Sequence, residues 1–362
     1  MASFNHEKYV RAALESALAQ SFQDLEIIVT DDGSRDGTAD EIRSIRDARV
    51  SLEVLPENRG GCFAKNACIR RSRGEYIANL NSDDLFLPGK LERQVRFLDA
   101  HPEVGAVFGY PLFINESGQH LGDAETFYGG IFNVENRTRT QWLRHFFLVG
   151  NCLCHPTVLI RRRCYEELGY YDPALAQLPD LDMWVRLAQR YEIHLMKEPL
   201  IAFRILNNNR NASAPRPEVA VRLTWEWRRV LERYMTLDER AIVEVFPELA
   251  GRVEWSTRPS WVARLAYSVL KRYLHRQETG SHIEGQAGLQ WRRPALWCLA
   301  ERALEVGRPP HVSFAFDAMC RVLANNEVTA RHPEIYREFI SYTGSYDPYG
   351  LLANLPPTRK VA

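Results

Sequence analysis

Apolar residues recur along the first two hundred or so positions with two alternating periods. Tyr9, Val10, Ala13, Leu14, Ala17 and Leu18 fall three or four apart between Asn5 and Gln20, which predicts an amphipathic helix with Asn5 as its N-cap. Leu25-Glu26-Ile27-Ile28-Val29-Thr30 is a short β-branched run that stops at the turn cluster Asp31-Asp32-Gly33-Ser34, and Thr38 to Arg46 then returns to helical spacing. The order repeats: Val50 to Leu55 reads as a strand, Asn58-Arg59-Gly60-Gly61 as a turn, Cys62 to Ser72 as a helix, and Glu75 to Leu80 as a strand ending in Asn81-Ser82-Asp83-Asp84. Strands that alternate with helices predict an α/β fold, a parallel sheet with helices on both faces. Ligands of such sheets bind beyond the carboxyl ends of the strands, so the two acidic clusters are expected to face one cleft.

Farther along, Pro88 to Ala100 reads as a helix, Val104 to Tyr110 as a strand, and the polar stretch from Asn115 to Asn136 as a loop or hairpin. Val158 to Ile160 is a short strand, Arg163 to Leu168 a short helix closed by Gly169, Asp180 to Arg190 a helix with Trp184 and Leu187 inward, and Ile193 to Phe203 a strand. The breaker-rich run from Asn207 to Pro215 sets the expected boundary between a domain over 1–214 and a mainly helical region over 215–362. Within that region, Arg258 to Gln277 carries five Lys or Arg and no acidic residue, with Trp261, Leu265, Val269 and Tyr273 on one broad face. A basic amphipathic helix of this kind suits an anionic membrane surface, but packing of its apolar face on the rest of the protein is the favoured reading.

Composition narrows the classes. With 362 residues, 45% hydrophobic and 25% charged, the chain is too long for one ordinary domain and too apolar for a disordered or collagenous protein. Lys plus Arg equals Asp plus Glu at 46 each, which gives no global pull toward nucleic acid. The seven cysteines are an odd number, and Cys152-Leu-Cys154 has no second close pair to complete a metal site, so reduced thiols in a cytoplasmic protein are expected. No signal peptide and no spanning run of apolar residues is recognised, in keeping with a cytoplasmic location.

Two carboxylate clusters about fifty residues apart, each at a strand end, suit a divalent cation and a phosphorylated ligand, because hard cations take oxygen ligands. Asp-Asp-Gly-Ser by itself is a common structural turn. The ordered set is more specific: Asp31-Asp32-Gly33-Ser34, Asn58-x-Gly60 with Lys65-Asn66, Gly74-Glu75-Tyr76-Ile77 into Asn81-Ser82-Asp83-Asp84, His155-Pro156-Thr157, Glu167 to Asp172, and Asp180-Leu181-Asp182-Met183-Trp184. Over roughly residues 2 to 213 this set resembles the family 2 glycosyltransferases, inverting enzymes of the GT-A fold.

The resemblance implies a Rossmann-like GT-A domain, mostly parallel and flanked by helices, followed by a mainly helical C-terminal extension. It implies transfer of a sugar from a nucleotide sugar, with UDP the expected carrier, to a glycan or lipid-linked acceptor in polysaccharide or glycoconjugate synthesis, by a cytoplasmic enzyme, with peripheral contact at the inner face of the membrane as the secondary reading. Asp31-Asp32 would meet the nucleotide base, with Asp32 the better placed, and Asn81 would face the nucleotide sugar. Asp83, with Asp84, would hold a divalent cation, Mn²⁺ or Mg²⁺, and Lys65 would act on the nucleotide or phosphate as a point charge, with a solvated helix cation as its ordinary alternative. Asp180 takes the general-base position, against the alternative of a simple helix cap; Asp182 would hold the loop and Trp184 the core. His155 would line the acceptor pocket or make a structural contact, and Arg204 would reach the diphosphate.

Three departures from the family pattern stand out. Asn81 replaces an acid, Pro179 precedes the base, and Leu206 replaces a histidine. The family's buried first strand also runs into Pro-x-Tyr-Asn, of which only Ala2-Ser3-Phe4-Asn5 is present. An in-frame β-branched strand upstream of Met1 is therefore expected, the alternatives being a shortened chain and another segment in the gap. Two rival functions remain: a sugar nucleotidyltransferase, which would want a glycine-rich basic loop after the first strand, and a non-catalytic nucleotide-sugar-binding subunit, which Asp83 and Asp180 oppose.

Overall fold

A computed structural model describes residues 1–126, 128–207, 211 and 217–247. The basic segment from Arg258 to Gln277 lies outside the described residues. The chain divides into two compact units, one of residues 1–146, 150–171 and 183–214, the other of 147–149, 172–182 and 215 onward.

The first unit opens with β1 (Ala2–Ser3), α1 (Val10–Leu18), β2 (Ile27–Asp31), α2 (Thr38–Ser44), β3 (Val50–Val54) and α3 (Gly61–Arg71). Then follow β4 (Tyr76–Ala78), β5 (Leu85–Phe86), α4 (Lys90–Ala100), β6 (Val104–Ile114), α5 (Arg139–Leu148), β7 (Leu159–Arg161), α6 (Arg162–Leu168), α7 (Pro179–Ala188) and β8 (Glu192–Arg204), with α5 and α7 each shared with the second unit. β1, β2 and β3 form a parallel sheet in that order; β2 beside β3 follows the strand–helix alternation, whereas the sequence does not mark Ala2–Ser3 as a strand, and β4, expected in the same parallel sheet, lies in the other one. The other sheet runs β4-β7-β6-β8-β5 and is mixed: β6 and β8 are parallel, whereas β4–β7, β6–β7 and β5–β8 are antiparallel. The antiparallel strands β5 and β7 are too short for sequence pattern to declare a direction.

The helical periods hold. Val10, Ala13, Leu14 and Ala17 of α1 are buried against Val29, Leu98, Val107 and Ile201 in one apolar cluster. Burial of the Val, Leu and Ile side chains contributes on the order of 1.5–3 kcal/mol each. One expectation is corrected here: Asn5 does not cap α1, whose N-cap is Tyr9. Asn5 has φ of 53°, in the left-handed region that Asn tolerates, and ties β1 to the next turn: its N–H donates to Ser34 Oγ at 2.9 Å and its Oδ1 accepts the Arg35 N–H at 2.9 Å. Gly169, with φ of 83°, ends α6 as expected.

β1 is only two residues long, yet it pairs with β2, and the Met1 amine donates to Ile28 O at 2.7 Å. Between β2 and β4 lies a cavity of about 750 Å³, lined by Ile27, Ile28, Tyr76, Ile77, Ala78 and Asn79 among others. β4 pairs with β7 alone, and the buried Asn79 Nδ2 has no hydrogen-bond partner. A cavity bounded by strand edges, with charged residues such as Glu26, Lys65 and Asp99 also in its lining, leaves ladder hydrogen bonds unmade.

The second unit contains α8 (Pro217–Glu232), a 3₁₀ turn over Arg233–Thr236 and α9 (Glu239–Val245), which is capped by Asp238 accepting the Ala241 N–H. Phe147 packs edge-on to Tyr234 and Phe246, with ring centroids 5.1 and 5.0 Å away. No helix among the described residues is long and apolar enough to cross a membrane. Cys62, Cys68, Cys152, Cys154 and Cys164 are buried and outside any disulfide.

Candidate active site

The two acidic clusters do lie at carboxyl ends of strands, but most of their oxygens already accept N–H or O–H groups of the protein. Asp31, at the end of β2, is fully buried. Its Oδ2 accepts the hydroxyls of Ser3 (2.9 Å) and Ser34 (2.6 Å), and its Oδ1 accepts the Ser34 N–H at 2.9 Å. Asp32 accepts the N–H groups of Arg59 and Gly60 at 2.7 and 2.9 Å, which draws the turn before α3 against β2. Burial raises the Asp32 pKa, and the two backbone donors pull it back. A carboxylate oxygen has more than one lone pair, so either Asp keeps capacity to accept from a ligand.

Gly33 makes the turn between these carboxylates and Ser34. Its φ is 72°, and a Cβ there would lie 2.7 Å from Glu57 C and 2.9 Å from Asn58 N. Gly33→Ala is expected to destabilise the protein by roughly 2–4 kcal/mol, because backbone strain and a backbone clash act together. A denaturant midpoint equal to wild type would show that the turn is free to rearrange.

The loop after β4 has a division of labour that its sequence does not display. Asp84 is almost completely buried; its Oδ1 accepts the Arg204 N–H at 2.8 Å and its Oδ2 accepts Asn81 Nδ2 at 2.9 Å. It acts as a bracket between the loop and the end of β8. Asp83 is 9% exposed, and its carboxylate has no such commitment to a neighbouring segment. Burial raises the Asp83 pKa; burial and then the adjacent Asp83 charge raise that of Asp84 well above the usual carboxylate range. Two buried neighbouring carboxylates repel, and a cation on Asp83 would relieve that repulsion. One carboxylate with substrate phosphate oxygens and water is an ordinary arrangement for Mg²⁺ or Mn²⁺. Among the described residues no group of three or more His, Cys, Asp or Glu side chains gathers around one point, so the protein's own share of such a site is small.

Arg204 is placed differently from the reading that made it a diphosphate contact. It is buried, its Nε donates to Asp83 O at 2.8 Å, its Nη1 donates to Asn115 O and Glu116 O at 3.0 Å each, and its guanidinium stands 4.9 Å from the Tyr9 ring centroid. It is a strut that fixes the Asp83–Asp84 loop, and Leu206 beyond it is core. Breaking such a buried charged network typically costs 3–5 kcal/mol.

His6 was not singled out from the sequence. Its Nδ1 lies 2.8 Å from Ser82 Oγ, and its charge lowers the Asp83 pKa. The available signal was its position just past the Ala2–Asn5 junction, at the carboxyl end of a strand. Lys65 lies on α3 with its Nζ 3.4 Å from His155 Nδ1. An ammonium can only donate, so Nδ1 accepts and His155 Nε2 carries the proton toward Tyr171 Oη at 2.8 Å; the hydroxyls of Tyr171 and Tyr165 are 3.0 Å apart. Burial, and then the Lys65 charge, push the His155 pKa well down, which fits a neutral imidazole in a structural chain. Trp184 is fully buried, edge-on to Phe108 at 4.7 Å, and belongs to the core as expected.

Asp31, Asp32, Lys65, Asn81, Asp83, Asp84 and Arg204 all lie in the first unit. Of these only Lys65 borders the cavity between β2 and β4, which is therefore distinct from the acidic site. Asp180 lies in the second unit, in the first turn of α7, where its Oδ1 accepts the Leu181 N–H at 2.8 Å. Asp182 is fully buried, and its Oδ1 accepts Arg233 Nε at 2.7 Å, which fits the loop-holding role.

Comparison with known proteins gives a consistent picture. Residues 1–169 match the family described as glycosyl transferase family 2. A candidate teichuronic acid biosynthesis glycosyltransferase of Bacillus subtilis, TuaG, is 30% identical over 235 residues, 64% of this chain and 86% of that protein. An uncharacterized glycosyltransferase of Methanocaldococcus jannaschii is 28% identical over 214 residues, 58% of this chain and 70% of that one. Among solved structures, residues 1–349 of S. aureus TarS in complex with UDP-GlcNAc align with a TM-score of 0.55 at 17% identity, covering 92% of this chain and 90% of that one. That likeness is one of fold.

Proposed function

Because this chain belongs to the family 2 glycosyltransferases, we propose that it moves a sugar from a UDP-sugar to an acceptor hydroxyl with inversion at the anomeric carbon. The observation that carries the proposal is the loop after β4: Asp84 and Arg204 hold it rigidly, which leaves the buried Asp83 carboxylate to a ligand. Asp32 and Asp31 at the end of β2 are assigned to the nucleotide base, and Asn81 to its sugar. The TarS structure with UDP-GlcNAc supports UDP as the carrier, and the TuaG relative supports a surface polysaccharide as the product. A cytoplasmic location and a lipid-linked acceptor belong to the same reading.

Chemically, the acceptor hydroxyl must lose a proton as it attacks, and the leaving diphosphate must gain charge. Asp180 is proposed as the base, because its carboxylate stands in the first turn of α7, at the end of the helix that favours an anion, and matches the family's general-base position. A divalent cation held by Asp83 would offset the charge on the leaving diphosphate. Arg204 and Asp84 keep the Asp83 loop rigid, so no reorganisation is needed during reaction.

The test is UDP release from a panel of UDP-sugars with and without Mn²⁺, in the presence of simple glycoside acceptors. Metal-dependent release from one sugar is expected. Tight UDP binding with no release from any sugar would favour the non-catalytic binding subunit.

A further inference from the structure

α8 grips the segment that carries Asp180 at three places. Glu226 is buried, and it accepts three consecutive backbone N–H groups: Ala176 on Oε1 at 2.8 Å, and Gln177 and Leu178 on Oε2 at 2.7 Å each. Arg229 Nε donates to Asp172 Oδ2 at 3.0 Å, and Arg233, just past the helix, bonds Asp182 while its Nη2 lies 3.7 Å from Asp172. Glu226 and Arg229 lie on one face of α8 and Arg233 follows four positions on, just past its end, so together they hold Asp172, the 176–178 loop and Asp182, with Asp180 between the last two.

A buried carboxylate is costly, and burial pushes the Glu226 pKa up to about 7 against the pull of its three donors and of Arg222. A purely apolar contact would dock α8 at lower cost. What a carboxylate adds is an acceptor for three N–H groups in a stretch with no helix or strand to receive them, just ahead of the α7 N-terminus.

We propose that Glu226 is a positioning residue for Asp180: its carboxylate fixes the 176–178 loop and thereby the place from which Asp180 is presented to the acceptor hydroxyl. The proposal rests on the reading of Asp180 as the base.

Amide hydrogen exchange on the wild-type chain provides the first test and needs neither a variant nor a substrate. The amides of Ala176, Gln177 and Leu178 are expected to exchange at least about 100-fold more slowly than exposed loop amides. Rapid exchange there would overturn the clamp. In Glu226→Gln an NH₂ group meets backbone donors and at least one bond is lost, so exchange at 176–178 is expected to rise about tenfold or more, with α1 and α4 unchanged.

With UDP-GlcNAc as the probe, kcat for UDP release is expected to fall about 10–100-fold, with donor KM within about twofold. The double variant Asp180→Asn with Glu226→Gln is expected to be no slower than Asp180→Asn alone. If the Glu226→Gln loss persists in full on the Asp180→Asn background, Glu226 acts elsewhere and the proposal fails. If Asp180→Asn alone turns over at the wild-type rate, the base assignment fails instead, whatever Glu226→Gln does.

Discussion

Replacing Asp180 by asparagine is expected to slow sugar transfer by about 10²–10⁴-fold, roughly 3–5 kcal/mol of barrier, while donor affinity stays within about twofold. The amide is isosteric and keeps an oxygen to accept the Leu181 N–H, so the start of α7 is preserved while basicity is lost. Rates with saturating acceptor, UDP titration calorimetry and the thermal midpoint together separate chemistry from binding and folding. A folded variant that transfers sugar at the wild-type rate would reduce Asp180 to a helix cap. Asp182 would then offer no substitute, because its carboxylate is fully buried in an ion pair with Arg233.

The second large effect concerns the cation. Asp83→Asn is expected to weaken UDP binding in Mn²⁺ by about 30-fold or more, roughly 2 kcal/mol, and to leave the much weaker metal-free binding unchanged. Calorimetry in the two conditions reads the difference. The variant is also expected to fold at least as well as wild type. Asp83 raises the pKa of its buried neighbour Asp84, so removing that charge relieves a repulsion and breaks no bond that Asp84 makes to Asn81 or Arg204. Unchanged affinity in Mn²⁺ would remove Asp83 from the cation site and make Asp84 the next carboxylate to test.

The reach of these experiments depends on which features were written locally in the chain. The helix over Val10–Leu18, the strand over Ile27–Asp31, the closing Gly169 and the buried Trp184 follow from spacing and turn residues within windows of about ten positions. α5 had the same kind of signal, since Trp142, Leu143, Phe146 and Phe147 are its buried residues at helical spacing and could have been read as a helix. The placement of both acidic clusters at strand ends also followed from local order, because in an alternating α/β chain the residues after each strand open toward the ligand side.

The sequence by itself thus determined the strand–helix alternation around Ile27 to Arg71, the family and a short set of candidate carboxylates. Only the tertiary structure decided which protein groups each carboxylate holds. Asp83 and Asp84 are adjacent and identical in type, and they differ because Arg204, 120 positions from Asp84, engages one side chain and only the backbone of the other. Arg204 itself became a buried strut for the same reason. Glu226 is one of three acids in α8 until the 176–178 loop, 48 to 50 positions away, brings it three N–H groups. Hydrophobic periodicity encodes which face of an element is buried. It carries no information about which distant backbone supplies a polar partner, because that is fixed only when the whole set of buried donors and acceptors is satisfied at once.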